Sequence, residues 1–430
     1  MRRKAIRVGK GKYVGGTSAV LQKAVDDAAA AGGGTVEIPA GTFEMVDALH
    51  LRSGVRVVGQ GAQTVLRKRP SVSSAIADYL GYGHYEITLE QPDLFEPGMG
   101  VLVLDNNAMG FYTTTATLLE REGNAFFIDK MLNHDYDPDQ GGRVISIFPL
   151  VAGQWVEDVA VLNLTLDGAG DPERMNGCRG AGVFLLQAHT ATVEGVEVVN
   201  YNGDAVSFQQ CTDVVVRGCR LHHNTGGGIH PGSGSVRYLI AGNHAHDNGG
   251  DGIFYCLRTT HSLCEGNRIE GNTGVGISLG ERDTDHLIRG NDISGNGGPG
   301  VLFRPVHRNG ADRIVLEGNR LAGNCRCEGS AEIAVAPGIR DVVLRGNNFA
   351  HLKGKAVEVG NGARGICLPG NTVEGRACAR EDVAGARECA SFSEPASPPC
   401  VGPAAACSEL TRHLGVELSG RPANFELEGR

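Results

Sequence analysis

"GNHAHDNGGDGIFYCLRTTHSLCE", residues Gly242–Glu265, runs directly into "GNRIEGNTGVGISLGERDTDHLIR", residues Gly266–Arg289. Both segments open on Gly-Asn, repeat an asparagine at Asn248 and Asn272, and pair a small residue with an aliphatic one at Gly252-Ile253 and Gly276-Ile277. The opening dipeptide or a close variant recurs at Gly218-Cys219, Gly242-Asn243, Gly266-Asn267, Gly290-Asn291, Gly318-Asn319, Gly346-Asn347 and Gly370-Asn371, at steps of 24, 24, 24, 28, 28 and 24. A second column, Asn200, Asn224, Asn248, Asn272, Asn296 and Asn324, keeps the same clock.

A fixed period of this length marks a repeat architecture. The runs between turns are short and rich in Val, Ile and Leu, too short for the helices of leucine-rich, ankyrin or tetratricopeptide arrays. Three short strands per period imply a coil, and the expected fold is all-β, a right-handed parallel β-helix in which equivalent positions stack ~4.8 Å apart. Asparagine suits the turns, because it tolerates the left-handed conformation and its amide can bond along a column. Cys264 and Cys367 fall in interior aliphatic columns and read as core.

Composition excludes several classes of function. Glycine, 64 of 430 residues, shows no triplet period, so its excess belongs to turns rather than to collagen. A net charge of -9 without a basic stripe argues against a nucleic-acid partner. No apolar run reaches the ~20 residues of a membrane helix. The Met1-Arg2-Arg3-Lys4 start has no following apolar region. The expectation is a soluble chain with any secretion leader absent or already removed, its compartment and oligomeric state open. The cysteines lack paired C-x-x-C spacing, which argues against structural zinc; Cys378, Cys389, Cys400 and Cys407 crowd a Pro-rich tail where disulfides would fit.

Four segments follow from these patterns: a cap helix and first coils at 1–71, a β-rich insertion at 72–150, the repeats at 151–375, and a Cys/Pro-rich tail or cap at 376–430. Thr17 or Ser18 is expected to cap a helix with Val20, Leu21, Ala24, Val25 and Ala28 on one face. "YEITL", "GVLVLD" and "GNAFFID" read as strands of the insertion.

The pattern "SAVLQKAVDDAAAAGGGTVEIPAGTF" followed by the repeats resembles the pectate-lyase-like superfamily of right-handed parallel β-helix proteins, including bacterial β-helix repeat proteins. The resemblance implies polysaccharide lyases, glycosidases or uronan epimerases, with substrate in a groove along one face. "GDAV" and "GIHPG" resemble the aspartate-bearing and Gly-His-Gly rungs of polygalacturonases, and Arg304 loosely resembles their basic rung. No Asn-Thr-Asp rung precedes Asp204, however, and no Arg-Ile-Lys is present. "DYDP" resembles the Asp-Pro motif of mannuronan epimerases, but Asp139 stands where their histidine belongs.

Alternation places Val206, Ile229, Ile253, Ile277 and Val301 inward, so Ser207, His230, Phe254, Ser278 and Leu302 face outward, as do Gln209, Gly232, Cys256, Gly280 and Arg304 two positions later. Asp204 and Asp251 share a column two rungs apart, roughly 9 to 10 Å, near the ~6.5 to 9.5 Å of inverting glycosidases. They are the expected acid/base pair for hydrolysis of a glycosidic bond in an oligo- or polysaccharide. The plainer reading makes each a turn residue capping its own backbone. His230 is expected to orient a carboxylate or shuttle a proton. Gln209 and Tyr255 would contact the sugar, and Arg258, Arg282, Asp283, Asp285 and Arg304 would line the site, Arg282 and Arg304 meeting anionic groups.

A lyase or C5-epimerase acting on a uronate, and a non-catalytic glycan-binding β-helix, are the alternatives. No metal or other cofactor is expected. His222 and His246 share a column but lack a third ligand at a convincing spacing, and a calcium ion finds no clear motif. In "NTGGGIHPGSGSV", residues Asn224 to Val236, Asn224 and Ile229 keep the columns while the six residues after Ile229 abandon the aliphatic strand pattern, which is where function is expected.

Overall fold

The computed structural model describes residues 5–170, 174–305, 309–386, 390–393 and 395. Strands dominate, and Ser18–Ala30 is the single α-helix among the described residues. The chain divides into two compact units, one comprising Met1–Leu186, Val196–Ser207 and Asn224–Gly226, the other Gln187–Gly195, Phe208–His223 and Gly227–Arg430.

In the first unit, parallel strands stack in the order Ala5–Arg7, Gly34–Glu37, Val55–Lys68, Glu157–Asp167 and Glu197–Val199. A second stack joins Leu49–His50, Val151–Gln154 and Ala181–Leu186. The helix buries Leu21, Ala24, Val25 and Ala28; Thr17 is its N-cap, without a side-chain capping bond. The glycine run after it is a packing requirement, since a Cβ on Gly33 would lie 2.6 Å from the Gly54 carbonyl oxygen and φ there is +95°.

The same unit carries an antiparallel sheet in the order Ser73–Ala75, Arg143–Ile145, Gly100–Leu104, Thr114–Glu122, Ala125–Ile128, Glu86–Thr88. Ile87, Val101, Val103, Leu118, Phe126 and Tyr136 fill its core. The "DYDP" segment is a turn in which Asp137 Oδ1 accepts the Asp139 N–H at 2.8 Å.

The second unit shows why the 24-residue period exists. Thr212–Arg217, Val236–Ala241, Thr260–Glu265, Thr284–Arg289, Ile314–Glu317, Arg340–Arg345 and Arg364–Cys367 pair in parallel, each with the next. A second stack starts at Arg220–His222 and ends at Thr372–Val373. A third runs Ile229–Gly232, Ile253–Phe254, Ile277–Leu279, Val301–Phe303, Ala331–Val335, Lys355–Val359, Val383–Gly385. Register sets identical positions above one another, so Val215, Leu239, Leu263, Leu287, Val315, Val343 and Cys367 form one buried column. Cys264 is wholly buried, and burial pushes its thiol up to about 12, which makes it inert packing. Of the tail cysteines, Cys389, Cys400 and Cys407 lie outside the described residues.

Asparagine ladders run through the turns. Asn243, Asn267, Asn291, Asn319 and Asn347 each donate both backbone N–H and side-chain Nδ2 to the Oδ1 of the asparagine one coil on, ending at Asn371, while Nδ2 also reaches a carbonyl of the preceding coil. The 28-residue step from Asn291 to Asn319 has the same 2.9 Å amide contact as the 24-residue step before it. A parallel ladder, Asn248–Asn272–Asn296–Asn324, ends on buried Glu332, whose two oxygens accept the Asn324 N–H and Nδ2. Asn272→Ala removes an interior acceptor that Asn248 uses twice, through its backbone N–H and its Nδ2, while the Nδ2 contact to the Leu221 carbonyl stays. A loss of about 2 to 4 kcal/mol in denaturant unfolding is expected.

Inside this unit, Tyr238, Tyr255 and His286 pack together. His286 bonds Ser262 Oγ at 2.8 Å and Thr259 Oγ1 at 3.3 Å. Burial drives its imidazole down to about 3. Below pH ~6.5 the unfolded chain takes up a proton at this residue while the native one does not, so native stability falls as pH drops from about 6.5 toward 3, by at most about 5 kcal/mol. Unfolding free energy measured across that window should decline less steeply in His286→Gln.

Candidate functional site

The outer face of the third stack in the second unit gathers several of the expected residues. Its strands are too short to shield one another by side-chain bulk, so what lies on them is set by the outward column. Arg304 leaves the end of Val301–Phe303 and lies flat across earlier coils. Nη1 donates to Ser278 Oγ at 2.5 Å, and Nη2 donates to the carbonyls of Tyr255 and Cys256 at 2.6 and 3.1 Å. Its guanidinium carbon sits 4.2 Å from the centroid of the Phe254 ring, a cation–π contact. The His230 ring meets the same Phe254 edge-on, centroids 5.0 Å apart.

Glycine in the neighbouring outward positions now has a cause. A Cβ on Gly280 would collide with Nη2 and come within 2.6 Å of Cζ and 2.8 Å of Nε of Arg304. A Cβ on Gly232 would come within 2.5 Å of Oε1 and 2.7 Å of Nε2 of Gln209. Neither glycine has positive φ, so both are kept by side chains laid across them rather than by turn geometry.

Several residues expected on the surface are interior. Tyr255 is wholly buried: it follows Phe254, so the period of two turns it into the core beside Tyr238 and His286. Asp283 has no exposed side-chain surface. Its Oδ1 accepts the Thr259 N–H and Oγ1–H at 3.0 and 2.9 Å, and Oδ2 accepts the Gly280 N–H at 2.7 Å. Burial raises its carboxyl, while those donors and nearby Arg304 pull the other way. Gln209 and His230 face outward but are only 2% and 6% exposed.

Arg258 and Arg282 occupy left-handed turn positions and are exposed; Arg282 pairs with Glu281 at 3.1 Å. Asp285 is bound bidentately by Arg313, whose charge helps hold its carboxyl below the ordinary range. Asp251 is half-buried and its Oδ1 accepts the Val275 N–H, one coil on, at 2.8 Å, which fixes the carboxyl. Its charge acts on Arg304. Asp204 belongs to the first unit, where it is half-buried with Oδ1 packed against Gly226. His222 and His246 stack with centroids 4.7 Å apart, the former bonding His223 and the latter Asp247.

The face thus brings together His230, Arg304 and Gln209 with three residues not singled out from sequence: Phe254, Ser278 and Gly280. The outward column had already marked all three. Their signal was one aromatic, one hydroxyl and one glycine in outward columns where other residues could have stood.

The stacked parallel strands and ladders define a right-handed parallel β-helix protein, and residues 174–304 match the family model described as "Right handed beta helix region". Its fold is a right-handed parallel β-helix. Among solved structures it is similar to the Azotobacter vinelandii mannuronan C-5 epimerase AlgE6 A-module, at 17% identity over 88% of this chain and 95% of that one, TM-score 0.53. It is also similar to a hyperthermoactive exopolygalacturonase from Thermotoga maritima, at 14% identity over 87% of each chain, TM-score 0.51. A third is the Dettilon tailspike protein gp208, at 12% identity over 89% of this chain and 68% of that one, TM-score 0.52. No curated protein matches the sequence.

Gly280→Ala is expected to expel Arg304 from its place while leaving the coil folded, because the backbone at 280 accepts alanine. A crystal structure should show the guanidinium lifted off Phe254, with the global unfolding midpoint little changed.

Proposed function

We propose that the protein is a carbohydrate-active enzyme that hydrolyses glycosidic bonds in an acidic oligo- or polysaccharide lying across the outer face of Ile229–Gly232, Ile253–Phe254, Ile277–Leu279 and Val301–Phe303. The observation that carries this is Arg304, a cation fixed by three hydrogen bonds and a ring contact on that face. A guanidinium already held in place spends little entropy in meeting a carboxylate. Phe254 and His230 give that face ring edges for a sugar, and the glycines keep it low. Two proteins of similar fold are named for mannuronan and polygalacturonate, polymers of acidic sugars.

In the hydrolytic reading Asp251 supplies a carboxyl for proton transfer, oriented by the Val275 N–H. Asp204, the partner expected from sequence, belongs to the first unit, and its part in the chemistry is tested separately by substitution. His230 and Gln209 position the sugar. A second reading, lyase or C5-epimerase chemistry on a uronate, is favoured by one fact: Arg304 and His230 both contact Phe254, so a carboxylate-neutralising cation and a proton-carrying imidazole share one cluster.

The test is incubation with polygalacturonate and mannuronan oligosaccharides. Hydrolysis yields new reducing ends without ultraviolet-absorbing product. Asp251→Asn and Asp204→Asn should each slow it by roughly 10² to 10⁴. An unsaturated, absorbing product or an inverted C5 supports the second reading instead. Binding without turnover, unaffected by either substitution, makes the protein a glycan-binding module.

A further inference from the structure

Asp283 is a charged group in a place where charge is costly. A buried carboxylate is retained only when several donors satisfy it, and an apolar residue of similar volume would stabilise the coil as well or better. Three donors reach it: Thr259 N–H and Oγ1–H on one oxygen, Gly280 N–H on the other. The same Oδ2 lies 3.8 Å from Arg304 Nη2. Behind it, Thr259 Oγ1 contacts His286 Nε2 at 3.3 Å, and His286 Nδ1 contacts Ser262 Oγ at 2.8 Å. A continuous polar chain therefore runs from the interior to the guanidinium, and it fixes two things at once. It sets the Gly280 backbone on which Arg304 rests, and it sets a negative charge beside Arg304.

We propose that Asp283 is a positioning residue of this face: from inside the coil it holds the Gly280 turn and the Arg304 guanidinium, so that Arg304 presents its remaining donors to an anionic group of the glycan, carboxylate or sulfate. Nη2 is committed to Tyr255 and Cys256 and one Nη1 hydrogen to Ser278, which leaves the Nε–H and the second Nη1–H uncommitted among the described residues. This reverses the role expected from sequence, in which Asp283 itself touched substrate. It rests on the glycan reading above for the ligand, but not for the positioning.

The two parts separate in one experiment on the full chain. Without glycan, modification of Arg304 by phenylglyoxal, read by peptide mass, should be several-fold faster in Asp283→Asn and unchanged in Asp285→Asn, whose partner is Arg313. Next, calorimetric titration with a galacturonate trisaccharide, its methyl ester and a sulfated galactose trisaccharide separates carboxylate from sulfate recognition. Asp283→Asn should weaken binding of the preferred anion about tenfold and have no further effect in an Arg304→Met background. Equal losses in both backgrounds, or unchanged Arg304 reactivity, overturn the proposal. Faster modification together with no binding of either anion by the unaltered protein supports the positioning and sinks the glycan reading. If Asp283→Asn does not fold, Thr259→Val, which removes the hydroxyl donor to the same carboxylate, gives the same two readouts.

Discussion

Everything in the second unit depends on one contact: an asparagine amide bonded to the asparagine one coil away. Hydrophobic stacking alone fixes which residues are inside, but it is tolerant of small slips along the strand, since valine, leucine and isoleucine replace one another in the columns. A buried Oδ1 that accepts two N–H donors from the neighbouring coil is not tolerant. It specifies register to a fraction of an ångström, and an unsatisfied amide is the penalty for error. With register fixed, side chains laid across several coils become possible.

Arg304 is the clearest product of that precision. It spans positions contributed by residues 254, 255, 256, 278 and 280, which lie far apart in sequence yet meet because their coils are exactly stacked. The face is built from absences as much as from groups: Gly280 and Gly232 exist because Arg304 and Gln209 occupy the space of their missing side chains. The stretch at His230 thus interrupts the aliphatic pattern for a packing reason that also shapes a surface.

The fold was legible because a solenoid writes its contacts into the sequence at a constant offset. Asn267, Leu263 and Ile277 each name their spatial neighbours by adding or subtracting one period. The face was partly legible by the same rule, which put His230, Gln209 and Arg304 outward. Tyr255 was misplaced by reading its chemistry ahead of its parity, since a residue adjacent to outward Phe254 must turn inward. Asp283 was misread because a turn position says nothing about depth; only the three donors that converge on it reveal that this turn folds under the strand. Phe254 was counted in the right column but passed over, because a single aromatic on a strand looks like ordinary packing until a cation is seen above it.

The 28-residue coils carry a consequence for how such a chain can change. Across the 28-residue step from Asn319 to Asn347 the ladder contact is as short as across 24, and the additional residues lie outside the strands, between Ala322 and Ala331, and leave the stacked positions untouched. Length variation and structural integrity are therefore decoupled: a coil can lengthen a turn without disturbing the registration of its neighbours. A lineage of such proteins can vary its turns while inheriting the scaffold unaltered, and kin can share a backbone while diverging in nearly every exposed residue.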